Sequence, residues 1–247
     1  MNANAPPVKT ITHAPLKNVV GCLSTVNRLI NRAPGLPGLG VMYSPSGYGK
    51  SWASIYAQNK TGAVRVEVGE SWNRKTLLGA ILLECGDPLP KGTAATLMAE
   101  VIRSLGDNPM RPLFIDEADK LVDKGMIELV REIHEHSQCP VLLIGEELLP
   151  KKLQAVERVH NRVLEWCMAQ PCDLSDAQHL AKVYLPGVSI GDDLLEKARA
   201  VAQGRARRIV VTLSNMAEWA RGSGAKTIPA DWNGTLCNGE PPVRGRR

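Results

Sequence analysis

The feature that most constrains this 247-residue chain is a short apolar run that leads directly into a glycine-rich turn and then a helical pattern. Leu39–Tyr43 (LGVMY) reads as a buried strand. Ser44-Pro45-Ser46-Gly47-Tyr48-Gly49-Lys50-Ser51 follows it, with a helix expected to start near Lys50. The loop fits GxxxxGK[ST] at every position except the first, where Ser44 replaces glycine. Gly47 and Gly49 permit backbone conformations that turn successive N–H groups toward an anion. The helix behind them adds its own N-terminal N–H groups and the positive end of its dipole. Lys50 is placed to reach the outer phosphates of a nucleotide, and the Ser51 hydroxyl to ligate Mg2+. Ser46, Gly47, Tyr48, Gly49, Lys50, Ser51 and Trp52 are therefore expected to bind ATP.

A second motif supports the first. Leu113-Phe114-Ile115-Asp116-Glu117 is an apolar strand that ends in two acids. Such a strand delivers one carboxylate to the metal shell of a bound nucleotide, and a neighbouring acid can polarise the attacking water. Asp116 takes the metal role in this reading and Glu117 that of the base. The plain alternative is that Asp116, Glu117 and Asp119 are solvated acids that complement a helix N-terminus.

Around these motifs, apolar periodicity predicts strands at 63–68, 112–116, 140–145 and 163–168. Helices are predicted at 19–32, 74–85, 93–105 and 120–136. Short strands alternating with longer helices indicate an α/β fold with a parallel five-stranded sheet flanked by helices. After Pro171 the pattern becomes helical throughout, at 175–184, 192–202 and 205–221, with Ser175 and Asp192 as N-cap candidates. The expected organisation is an extended arm at 1–17, a nucleotide-binding domain at 18–171, a small helical domain at 172–222 and a basic flexible tail at 223–247.

Composition narrows the rest. Apolar residues at 44% and charged residues at 22% exclude a chain that is disordered throughout. No apolar run approaches the roughly 20 residues needed to cross a bilayer. MNANAPPVKT lacks the hydrophobic stretch of a secretory signal, so a cytoplasmic location and no membrane partner are expected. The six cysteines are scattered, and free thiols are expected rather than a metal pair at Cys167 and Cys172. The net charge of +5 concentrates at the end. There Arg199, Arg205, Arg207, Arg208, Arg221, Lys226, Arg244, Arg246 and Arg247 face only Glu218, Asp231 and Glu240, which points to a polyanionic partner.

With GYGKS, FIDEAD and LLIGEELL together, the chain resembles the AAA+ ATPases over residues 18–222. More narrowly it resembles those that accompany DDE transposases, typified by the B protein of phage Mu, and the related secretion-type ATPases. The resemblance implies that the strand ending at Gly145 lies between the two motif strands and that the helical domain is a lid. It places Glu146 at the tip where a polar sensor, more usually Asn, Thr or Gln, meets the γ-phosphate, with Glu147 as substitute. It makes Arg162 the arginine finger toward a neighbouring subunit's ATP, with Arg158 second; pairing with Glu157 or Glu165 is the plain alternative. In Gly204–Ile209 it makes Arg207 the residue that approaches the phosphates, leaving Arg205 and Arg208 for the neighbour or DNA. It puts double-stranded DNA, bound without sequence preference, at Arg74 and Lys75 beside Trp72. Lys151, Lys152 and the tail arginines are alternatives.

The implied function is an ATP- and Mg2+-dependent ATPase, slow and stimulated by DNA or a partner, with Lys50, Glu117 and Arg162 as catalytic residues. It would assemble with itself, as a helical filament or ring on target DNA, and hand that DNA to a DDE transposase. The alternatives are a loader or adaptor ATPase acting on a helicase or secretion complex, and a nucleotide-gated interaction module with little turnover.

Overall fold

A computed structural model describes residues 16–87 and 90–237. Most of the expected N-terminal arm, and Arg244, Arg246 and Arg247, lie outside the described residues. The chain divides into two compact units: one runs from Lys17 to Gln170, and the other comprises Leu16 with the described residues from Pro171 onward.

The first unit holds α1 (Lys17–Ile30), β1 (Leu39–Tyr43), α2 (Lys50–Thr61), β2 (Val64–Glu67), α3 (Arg74–Cys85), α4 (Ala94–Gly106), β3 (Leu113–Asp116) and α5 (Asp119–Asp123). It continues with α6 (Ile127–Ser137), β4 (Val141–Gly145), α7 (Leu149–Gln154), α8 (Glu157–His160) and β5 (Val163–Met168). The five strands form one sheet in the order β2-β3-β4-β1-β5, and every pairing is parallel. The architecture is the expected α/β one. β4 lies between β3 and β1, so both motif strands flank the strand that ends at Gly145.

Both faces of the central strands are covered, which is why β1, β3 and β4 read as near-continuous apolar runs, while the edge strands β2 and β5 carry charged residues. Leu39, Val41, Leu113, Ile115, Val141 and Leu143 join one core with residues of α3, α4 and α6. On the other face α1 crosses so close to Gly40 that a side chain there would meet Leu29 Cδ1 at 2.7 Å. All the strands are parallel, so the loop after Tyr43, Asp116 and Gly145 emerge at one edge of the sheet. In open parallel sheets the crevice outside the carboxyl ends is where ligands bind.

The sequence predicts one helix over 120–136, whereas two form. Gly125 adopts φ 62, and the Met126 N–H reaches back to the Leu121 carbonyl at 2.8 Å, closing α5 before α6 begins.

The second unit contains α9 (Leu174–Tyr184), α10 (Asp192–Val201) and α11 (Ala206–Ser223). Its core includes Leu180, Leu195, Ile209, Leu213 and Met216. The caps differ from those expected. Asp173, not Ser175, caps α9, in a reciprocal capping box with Asp176. Gly191 precedes α10, leaving Asp192 and Asp193 in the first turn, where their charge favours the helix dipole. Among the described residues no helix is long and apolar enough to cross a membrane.

Candidate functional site

The glycine loop leaves β1 at Tyr43 and closes on α2. Gly47 and Gly49 have φ of 90 and 88, a region that only glycine enters freely. Gly49 is itself the N-cap of α2 and supplies no side-chain cap, so the first turn of that helix is open to an external acceptor. Ser44 is not among the left-handed residues, which is why a serine can stand where the motif has glycine. It is fully buried, and its carbonyl accepts Lys50 Nζ at 2.7 Å.

Lys50 Nζ also reaches Ser44 Oγ and the Pro45 carbonyl, each at 3.2 Å. The ammonium is therefore folded back onto its own loop, on oxygens that phosphate oxygens could replace. Burial lowers its proton affinity, and the charges of Glu146, Asp116, Asp119 and Glu117 oppose that fall, in this order. Four carboxylates around one lysine would repel a bare triphosphate; a divalent cation offsets that repulsion. Ser46, Ser51 and Trp52 are exposed on and beside the loop, while Tyr48 is half-buried.

Asp116 is almost fully buried at the end of β3. Its Oδ1 accepts the Glu117 N–H at 3.0 Å, and its Oδ2 accepts Arg65 Nη2 at 2.6 Å. Glu117 follows in a left-handed conformation, φ 58, which costs a non-glycine residue roughly 1–2 kcal/mol. Strain of this kind is held in place only by surrounding structure, and it collects at functional positions. The half-exposed Glu117 carboxylate lies 3.5 Å from Lys120 Nζ.

At the tip of β4 the exposed Glu146 is fixed through its backbone, whose N–H donates to Asp119 Oδ2 at 2.7 Å. Asp119 is buried, and its Oδ1 has no hydrogen-bond partner among the described residues, although Lys152 Nζ stands 3.7 Å away. The sequence marks Asp119 only as a dipole-complementing acid; the structure makes it the tie between the two strand tips.

A second residue escaped the sequence reading. Asn18 on α1 donates to the Tyr48 carbonyl and to the Gln170 carbonyl, both at 2.8 Å. It also accepts the Gln170 N–H at 2.8 Å. A helix with no part in either motif thereby pins the glycine loop to the segment leaving β5. No spacing rule marks such an asparagine.

The donor set fits a nucleotide triphosphate with Mg2+. The glycine cradle, the open helix start and Lys50 would hold phosphate, and Ser51 and Asp116 offer hard oxygen ligands to the metal.

The remaining expected site residues are more dispersed. Arg162 precedes β5, at the opposite end of the sheet from the loop: its carbonyl accepts the Leu39 N–H at 3.1 Å. Its guanidinium pairs with Glu135 on α6, at 2.8 Å, and not with Glu157 or Glu165; Glu165 is taken by Arg28. Arg158 is exposed on α8. Arg74 and Lys75 are exposed in the first turn of α3, which Asn73 caps through Thr76. Trp72 is partly buried and packs against the core. Lys151 is exposed, whereas Lys152 is tied to Asp123 at 2.7 Å and leans toward Asp119. Arg207 is exposed in the first turn of α11, in the second unit. Cys167 is a half-buried free thiol, and Cys172 is buried.

Residues 35–153 match the family model of the AAA domain. The match takes in the glycine loop, Asp116, Glu117 and the β4 tip. No curated protein matches the sequence. Among solved structures, the chain is similar to the ADP form of the ORC2 protein of Aeropyrum pernix, with TM-score 0.65 and 17% identity, over 94% of this chain and 69% of that one. It is similar to the ORC1 protein of Aeropyrum pernix in complex with DNA, with TM-score 0.63 and 17% identity over 87% and 62%. Cdc6p from Pyrobaculum aerophilum gives TM-score 0.62 and 17% identity over 90% and 66%. At these identities the likeness is one of fold. It agrees with an AAA domain followed by a helical region.

Proposed function

We propose that this AAA domain binds ATP with Mg2+ and hydrolyses it slowly, and that the nucleotide controls assembly of the chain on double-stranded DNA. The observation that carries this reading is the convergence at one sheet edge of the open glycine loop, Lys50, buried Asp116, strained Glu117 and the Glu146 tip. Lys50 and the α2 N-terminus hold the phosphates. Ser51 and Asp116 hold the metal, which would draw charge from the transferring phosphoryl group. Glu117 accepts a proton from the attacking water. Arg162, remote from its own loop, serves the site of the next subunit in a ring or filament, and Arg207 serves as the lid arginine.

DNA contact is assigned to Arg74 and Lys75, two exposed cations at the start of α3 beyond the β2 tip, with Lys151 as an auxiliary. Contacts of this type bind phosphates without reading sequence and weaken steeply with salt. The DNA complex of the similar ORC1 protein supports a DNA partner for this fold. Within that class, the role we infer is capture of target DNA and its delivery to a DDE transposase, in the manner of the Mu-type ATPases. A loader role is the second reading, favoured by the likeness in fold to the ORC and Cdc6 proteins.

The test is anisotropy of random-sequence duplex DNA with ATP, ADP or no nucleotide, at two salt concentrations, for the wild type and Lys50→Ala. Binding that needs ATP, falls with salt and is lost in Lys50→Ala is the expected result. Equal binding in all three nucleotide states would overturn the coupling. Addition of transposase or helicase partners to the ATP-bound complex then separates the two roles.

A further inference from the structure

Arg65 on β2 belongs to neither motif, yet it touches the second directly and reaches the first through Ser54. Its Nη2 donates to Asp116 Oδ2 at 2.6 Å, and its Nε donates to Ser54 Oγ at 3.0 Å. Ser54 is fully buried on α2, and its own hydroxyl donates to the Ser51 carbonyl at 2.8 Å. One hydrogen-bonded chain therefore runs Ser51, Ser54, Arg65, Asp116, and its two ends are the residues to which the metal is assigned. The register makes this possible: Arg65 stands beside Phe114, and Glu67 beside Asp116. A guanidinium two residues short of the strand end can thus reach forward to the carboxylate. Arg65 is mostly buried, while Glu67, 3.6 Å from it, is 63% exposed and offers a second, solvated partner.

We propose that Arg65 is a positioning residue that sets how strongly nucleotide binding depends on Mg2+. The inference rests on the ATP–Mg2+ reading of the site. With Arg65 in place, the charge of Asp116 is largely cancelled before any ligand arrives. Triphosphate then meets a less repulsive site in the absence of metal, and Mg2+ must share Asp116 with a guanidinium. A planar two-pronged cation suits this role because one prong keeps its hold on Ser54 while the other yields. Without Arg65, Asp116 is a bare buried carboxylate. It repels metal-free triphosphate more strongly and attracts the divalent ion more strongly.

The readout is a ratio: the dissociation constant of a fluorescent ATP analogue in EDTA divided by that in saturating Mg2+. For Arg65→Gln this ratio is expected to rise about tenfold over the wild type, because an unpaired buried charge acts in opposite directions on the two constants. For Ser54→Ala, which loosens Arg65 without removing its charge, a rise of about threefold is expected. If Arg65 only holds the fold, both constants worsen together and the ratio stays at the wild-type value, which overturns the proposal. If Arg65→Gln fails to fold, the ratio in Ser54→Ala decides alone, and an unchanged value overturns it. A wild type that binds no analogue in either condition rejects the nucleotide reading itself, and this inference falls with it.

Discussion

The carboxylate of Asp119 accepts the backbone N–H of Glu146 at 2.7 Å, and the absence of a side chain on Gly145 is what lets it approach. A methyl group at Gly145 would overlap Asp119 Oδ2 and stand 2.6 Å from Leu149 Cδ2. Gly145→Ala is therefore expected to destabilise the first unit by about 1–3 kcal/mol, the usual cost of overpacking. In an Asp119→Ala background part of that cost disappears, leaving a coupling of about 1 kcal/mol in a double-mutant cycle. Urea unfolding of the four proteins measures it. Strict additivity would show that the two sites do not press on each other.

Asn18 gives a sharper ordering. Its amide group donates to two carbonyls and its oxygen accepts one N–H, all at 2.8 Å. Asn18→Ala leaves three polar groups to find other partners, at a cost of about 1–3 kcal/mol. Asn18→Asp is expected to be worse still, because it points a carboxylate at the Tyr48 and Gln170 carbonyl oxygens. Stability should rank Asn above Ala above Asp, and nucleotide affinity should follow the same rank because Tyr48 belongs to the loop. An Asp variant as stable as the wild type would contradict the donor assignment.

What the sequence discloses and what it hides divide along physical lines. The strands at 39–43 and 163–168 and the helix at 74–85 are legible to the residue: the first is an unbroken buried apolar run, and the helix is bounded by Asn73 and Gly86, which cap it. The placement of Lys50 at a helix start and of Asp116 and Glu117 at a strand end is legible because the glycine turn and the apolar run that precede them are local in sequence. The break at Gly125 is not, because the apolar period on either side of it continues in phase. Arg65, Asn18 and Asp119 are hidden for another reason. Each acts across the sheet on a residue far away in sequence, so nothing in its neighbours marks it. Arg162 falls between these cases: its place before β5 is legible, but its partner Glu135 on α6 is set by packing.

Arg162 separates local stability from assembly. Its pair with Glu135 is 42% exposed on the arginine side, so Arg162→Ala should cost less than about 1 kcal/mol. It sits at the start of β5, while Lys50 lies beyond the far end of the five-residue β1, about 15 Å away at the usual rise per residue. The two cannot serve one site within one chain. Arg162→Ala and Lys50→Ala should each abolish hydrolysis alone. Mixed in equal amounts they should recover activity, since in a head-to-tail assembly about a quarter of the interfaces combine the intact Lys50 with the intact Arg162. No recovery in a mixture shown to co-assemble would remove Arg162 from the neighbour's site.

His134 makes the stability of the first unit depend on pH. Its Nε2 accepts the Gly38 N–H at 3.1 Å, and its Nδ1–H donates to the Cys139 carbonyl at 2.7 Å. The ring thereby joins the entry of β1 to the entry of β4, and only the neutral ring with the proton on Nδ1 can make both bonds. Burial pushes its proton affinity below the ordinary value. The bond to Cys139 opposes that fall, Arg32 adds to it, Glu135 opposes it and Arg162 adds to it, in decreasing order. The folded value lies below the unfolded value of about 6.5, so the unfolded chain takes up the proton first. The stabilisation from this residue is complete above about pH 6.5 and is lost as pH falls through the folded value. Urea unfolding at pH 7.5 and at successive steps toward pH 5 should show wild-type stability falling. His134→Gln should be less stable at neutral pH but flatter over the same range. If the two curves run parallel, the pH dependence belongs to other groups and His134 is only a packing residue.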